Sequence, residues 1–118
     1  YLNYENPKVP FLTEHIEKYP EYKEAFSLAG EDLKPTGYVV DTLMCALWCF
    51  INTSSFEDAV CEAANLGGDA DTIAAITGGL AGVYYGYDAI PARWKEKILV
   101  KEQLNSIAKR IALLRKEW

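Results

Sequence analysis

The chain is poor in the residues that most often build reactive or metal centres. Its 118 residues include one histidine, His15, and three cysteines, Cys45, Cys49 and Cys61, with no Cys-x-x-Cys pair. An odd cysteine count argues against a disulfide framework, and a lone histidine far away in sequence argues against a zinc site. Cys45 and Cys49 stand four apart inside an apolar run, where reduced, buried thiols are expected. Long hydrophobic runs are also missing. The longest uncharged stretch, Thr72 to Tyr87, has 16 residues and four glycines, which excludes a membrane span. The opening Tyr1-Leu2-Asn3-Tyr4-Glu5 is polar and aromatic, unlike a signal peptide, so a cytoplasmic protein is expected. Basic charge is in deficit: 12 Lys and Arg against 17 Asp and Glu give a net charge of −5. No nucleic-acid partner is expected, because such binding needs a basic face to displace counterions. The basic residues from Lys109 to Lys116 are interrupted by apolar ones and mark a solvated helix end. The only methionine is Met44, so a longer parent polypeptide is expected.

What is present is a helical pattern from end to end. Half of the residues are apolar and a quarter charged, enough for one core. Residues 1–10 read as an extended lead-in. Thr13 is placed to cap a short helix to about Lys18, and Pro20 to initiate another over Glu21 to Leu28. Gly30 to Gly37 is a loop. Tyr38 to Ile51, YVVDTLMCALWCFI, is apolar on nearly every side, the mark of a central helix. Ser54 and Glu57 have capping-box spacing for a helix from Ser55 to about Asn65, with Phe56, Ala59, Val60, Ala63 and Ala64 as its apolar stripe. A helix dense in small residues follows from about Ala70. Its Gly78, Gly79 and Gly82 each cost about 1 kcal/mol against alanine, which points to close approach of neighbouring backbones. Pro91 opens a short helix with Trp94, and a last helix from about Lys101 to Glu117 turns Leu104, Ile107, Ala108, Ile111 and Leu114 inward. The expected fold class is all-α.

The chemistry concentrates in Gly67-Gly68-Asp69-Ala70-Asp71-Thr72. Carboxylates two residues apart cannot share one helix face, since two helical steps rotate by roughly 200°. They converge only if Asp69 precedes the helix, which the two glycines permit. Two carboxylates and a hydroxyl are hard donors suited to Mg²⁺, Mn²⁺ or Ca²⁺. The alternative is an ordinary acidic helix start that complements the macrodipole. An EF-hand is excluded, because Ile73 and Ala74 stand where its loop needs an oxygen ligand and a glycine.

These pieces belong to a longer pattern. Gly37-Tyr38-Val39-Val40-Asp41-Thr42-Leu43 is followed by Ala46-Leu47-Trp48, Ser55-Phe56-Glu57-Asp58-Ala59-Val60, Leu66-Gly67-Gly68-Asp69-Ala70-Asp71-Thr72, Thr77-Gly78-Gly79-Leu80-Ala81-Gly82, Tyr85-Gly86 and Ile90-Pro91. In order and spacing this resembles the C-terminal part of the ADP-ribosylglycohydrolase family, nearest its dinitrogenase-reductase-activating branch. The resemblance implies a helical bundle, of which residues 1–118 would be the C-terminal portion, and two Mg²⁺ ions with Mn²⁺ as substitute. It implies Asp69, Asp71 and Thr72 as metal ligands, substrate contacts at Gly37, Tyr38 and Gly68, and cleavage of ADP-ribose from a modified side chain, arginine foremost. The implied partners are an ADP-ribosylated protein or small ADP-ribosyl compound, and the N-terminal half of the same enzyme. That half would carry the family's Thr-Asp-Asp motif, the general base and the diphosphate loop, none of which is found here. Asp41 is left between two roles, completing the first turn of its helix or facing the nucleotide. The other readings are an inactive ADP-ribose-binding relative and a plain helical interaction domain.

Overall fold

Apolar residues around the whole circumference of 39–51 require cover on several sides, and the chain supplies it by folding helices onto this segment. The computed structural model describes residues 7, 8, 10–12 and 30–115. Among them the secondary structure is helical throughout, with no strand. Helix α1 (Val39–Ile51) buries Thr42, Cys45, Ala46, Leu47, Cys49 and Phe50. Helices α2 (Phe56–Asn65) and α3 (Ala70–Tyr85) pack on it and on each other. Short 3-10 turns at Gly30–Asp32 and Tyr87–Ala89 flank this trio, followed by α4 (Ala92–Lys95) and α5 (Lys101–Arg115). The helices expected at Thr13–Lys18 and Glu21–Leu28 lie outside the described residues.

Local chemistry explains where each helix starts. Ser55 adopts extended backbone and its hydroxyl accepts the Asp58 N–H at 3.0 Å, so the cap of α2 is Ser55, one residue after the expected Ser54. Glu57 is thereby released from the expected capping box and pairs with Arg93 of α4. Along α2, Phe56, Ala59 and Ala63 are buried, whereas Ala64, expected in the same stripe, is exposed. In α3 the buried positions Ile73, Thr77 and Ala81 recur every four residues, and the Thr77 hydroxyl is satisfied by the Ile73 carbonyl at 2.7 Å.

The glycines of α3 correct one expectation. A Cβ at Gly78 would lie 3.7 Å from Val60, one at Gly82 would lie 3.9 Å from Phe56, and one at Gly79 would meet nothing. These are ordinary contact distances or open space, so among the described residues no backbone approach demands glycine there. Nothing in the described residues explains Gly79.

Two further departures concern the ends. Residues 8 and 10, expected to lie in an extended lead-in, are helical, as are 11 and 12. Lys8 is only 4% exposed, and its ammonium donates to the Phe50 carbonyl at 2.6 Å and to the Thr53 carbonyl. It also lies 4.6 Å from the Phe50 ring centroid and 5.0 Å from that of Tyr85. A cation there meets the negative end of the α1 dipole and two aromatic faces, while burial pulls its pKa below the usual lysine value. At the other end, α5 buries none of its residues. Leu104, Ile107, Ala108, Ile111 and Leu114, expected to face a core, are exposed. Periodicity identifies the face that seeks cover, but no described element lies against it.

Two tests follow from this packing. Cys45 and Cys49 are buried free thiols, and Cys61 is exposed. Burial, then the charge of Glu62, pushes Cys49 up to about 12, so at pH 8 it is a protonated, shielded thiol. A maleimide at pH 8 should label Cys61 alone in the native chain and all three cysteines in denaturant, as counted by mass spectrometry. Gly79→Ala should raise stability in urea by about 1 kcal/mol, since it gains helix propensity and meets no neighbour.

Candidate functional site

The site forms where a loop before α1 meets the start of α3. Gly67 and Gly68 both have positive φ, +77° and +57°. At Gly68 the requirement is also steric: a Cβ would sit 2.0 Å from the Pro35 carbonyl oxygen. That carbonyl accepts the backbone N–H of the next residue, Asp69, at 2.9 Å. Glycine thus lets residues 35–38 lie directly against the turn that opens α3.

Asp69 stands at the N-cap of α3, outside the helix, yet its side chain accepts no helix N–H. One carboxylate oxygen, Oδ1, accepts the Thr72 hydroxyl at 2.9 Å. The other, Oδ2, lies against Gly37, where a Cβ would come within 3.0 Å of it. Asp71, in the first helical turn, accepts the Thr72 N–H at 3.0 Å. A hydrogen bond with the Asp69 carboxyl, then the one from the Thr72 N–H, holds Asp71 below the usual carboxylate range. Thr72 thus links the two acids, its hydroxyl on the Asp69 carboxylate and its N–H on that of Asp71, an arrangement open to Asp69 because it precedes the helix.

The donor set is hard and anionic, which fits Mg²⁺ or Mn²⁺. It is also incomplete: among the described residues no group of three or more His, Cys, Asp or Glu side chains gathers to hold a metal. Asp69, Asp71 and Thr72 would supply only part of a coordination sphere.

Gly37 and Tyr38 adjoin these donors. Tyr38 is the N-cap of α1 and is 63% exposed. Its N–H donates to the Thr36 hydroxyl at 3.2 Å. Gly68, expected as a substrate contact, has a steric task here, as the spacer that admits Pro35. Sequence reasoning missed Pro35 and Thr36, which carry generic loop identities. Asp41 stands in the first turn of α1 and accepts the Thr36 hydroxyl at 2.7 Å.

Comparison with known proteins points the same way. The family model described as ADP-ribosylglycohydrolase matches residues 6–118. The ADP-ribosylarginine hydrolase Tri1 of Serratia proteamaculans is 44% identical over 91 residues, covering 77% of this chain and 24% of that protein. The ADP-ribosyl-[dinitrogen reductase] glycohydrolase of Rhodospirillum rubrum is 41% identical over 66 residues, 56% of this chain and 22% of that protein. The human ADP-ribosylhydrolase ARH3 is 31% identical over 74 residues, 53% of this chain and 20% of that protein. The chain thus spans about a quarter of the length of the relatives it matches.

The Gly68 contact is directly testable. Gly68→Ala combines a left-handed backbone with a collision on Pro35 and should cost about 3 kcal/mol in urea denaturation. Gly67→Ala, with open space around it, should cost only the backbone penalty of about 1 kcal/mol.

Proposed function

The chain belongs to the ADP-ribosylglycohydrolase family, and we propose that it supplies one wall of a metal-dependent site that hydrolyses the bond between ADP-ribose and a modified side chain, arginine foremost. The observation that carries this reading is the convergence of Asp69, Asp71 and Thr72 beside the exposed Tyr38. The names of the relatives, an ADP-ribosylarginine hydrolase among them, support the same reaction.

Each residue has a task in that reaction. Asp69 and Asp71 present anionic oxygens to a ligand that is itself a diphosphate, a pairing that favours a divalent cation between them. Mg²⁺ or Mn²⁺, held by Asp69, Asp71 and Thr72, would supply the Lewis-acid charge that orients the ribose and polarises an attacking water. Carboxylates committed to cations are poor proton acceptors, so Asp69 and Asp71 act as ligands and the general base comes from elsewhere. Tyr38 offers its ring to the adenine, and Gly37 keeps the surface beside Asp69 free of a side chain. Glycosidic cleavage passes through an oxocarbenium-like state, so positioning of the anomeric carbon matters more than a strong nucleophile.

The share of each relative that the chain covers supports a further part of this reading. Residues 1–118 form the C-terminal part of the helical domain, and an N-terminal portion supplies the remaining metal ligands and the base. The exposed apolar face of α5 is the kind of surface such a portion, or self-association, would cover. Three free thiols suit a cytoplasmic setting, and no helix among the described residues is long and apolar enough to cross a membrane. A binding module without turnover is the second reading for the chain alone, favoured by its two-carboxylate donor set.

Native mass spectrometry with Mg²⁺ should reveal a second polypeptide, or a second copy, bound to the chain, and a bare monomer would count against the shared-domain reading. In the assembled enzyme, Asp71→Asn should lower the thermal midpoint by only about a few degrees, because the amide oxygen still accepts the Thr72 N–H and only the charge beside the helix dipole is lost. The same change should weaken Mn²⁺ binding at least tenfold and abolish release of ADP-ribose from ADP-ribosylated arginine. Unchanged Mn²⁺ affinity would return the site to a simple helix cap.

A further inference from the structure

The loop that carries Gly37 and Tyr38 is held by a chain of hydrogen bonds with a direction built into it. The Thr36 hydroxyl donates to Asp41 Oδ2 at 2.7 Å and accepts the Tyr38 N–H at 3.2 Å. A hydroxyl has one proton, and an ionised carboxylate can only accept. Asp41 therefore takes that proton and leaves an oxygen lone pair facing the Tyr38 N–H. The buried Thr42 hydroxyl lies 2.9 Å from the Thr36 carbonyl and 2.8 Å from the Tyr38 carbonyl, so its single proton is shared between the two ends of the turn. On one side of Thr36, the Pro35 carbonyl receives the Asp69 N–H at 2.9 Å. On the other side, Gly37 lies against the Asp69 carboxylate.

From this arrangement we propose that Asp41, acting through the Thr36 hydroxyl, is a positioning residue that locks the Gly37-Tyr38 turn to the metal-ligand turn at Asp69, so that nucleotide and metal parts of the site keep one register. The consequence for ligand binding rests on the ADP-ribose reading above; the mechanical linkage does not. Asp41 touches neither ring nor metal in this scheme. It sets the polarity of one hydroxyl that sits between the two.

The test uses hydrogen exchange of backbone amides in the full chain, followed by NMR, together with ADP-ribose titration of the assembled enzyme in the presence of Mg²⁺. Asp41→Ala and Thr36→Val should each speed exchange at the Tyr38 and Asp69 amides about tenfold, while amides of α2 stay protected. The double variant should add little, since both changes break one linkage. Asp41→Asn, whose amide oxygen still accepts the Thr36 proton, and Thr36→Ser, which keeps the hydroxyl, should restore most of the protection. ADP-ribose affinity should fall about tenfold in Asp41→Ala and in Thr36→Val alike. Unchanged exchange at Tyr38 and Asp69 in Asp41→Ala overturns the proposal. So does loss of ADP-ribose binding in Asp41→Ala with full binding in Thr36→Val, which would make Asp41 a direct ligand contact. If α2 also loses protection in Asp41→Ala, the near-isosteric Thr36→Val decides. If the unaltered assembled enzyme binds no ADP-ribose, the ADP-ribosyl reading fails, and the exchange data still decide the linkage.

Discussion

Everything that brings the site together passes through the contact of Gly68 with the Pro35 carbonyl. The chain must reverse between α2 and α3, and it does so with two successive residues of positive φ. The reversal drives backbone directly onto backbone, with no room for even a methyl group. Two parts of the sequence more than thirty residues apart are thereby joined by the Asp69 to Pro35 hydrogen bond. Without that approach, the acidic turn and the exposed tyrosine would belong to different surfaces.

The three-helix core exists to hold these two turns still. Helix α1 begins at Tyr38 and α3 begins just after Asp69, so packing of α1 against α3 sets the distance between their N-terminal ends. The buried Ile73, one turn into α3, and Thr42, in the first turn of α1, anchor those ends close to the site. At the opposite end of α1, Lys8 satisfies carbonyls that the helix cannot satisfy for itself and stacks on the aromatic residues packed around Phe50. Polar atoms in this interior are all accounted for: no buried side-chain nitrogen or oxygen among the described residues lacks a partner.

The site also shows the limit of what one wall can do. Two carboxylates and a hydroxyl hold a cation weakly unless other oxygens complete the sphere, and the relatives are about four times as long as the aligned stretch. In the proposed shared domain, the incomplete donor set and the apolar face of α5, uncovered among the described residues, are both surfaces that further protein would meet.

Much of this was legible in the residues alone. The all-round apolar pattern marked α1 as central, the paired glycines allowed Asp69 to stand before its helix, and the order of motifs over some sixty residues carried the family. Local signals of this kind act over a few residues, so a linear reading can follow them. The cap at Ser55 rather than Ser54 was not legible, because Glu57 was drawn away by Arg93, thirty-six residues later. Nor was the role of Asp41, since its partner Thr36 looks like any loop threonine until the turn is built. Lys8 and α5 failed for the same reason in opposite directions: one polar residue found an aromatic interior, and one apolar stripe found no cover among the described residues. Composition and period determine which surfaces must be hidden and which backbone angles are allowed. Which partner hides them is a matter of distances between remote residues, and only the tertiary structure decides those.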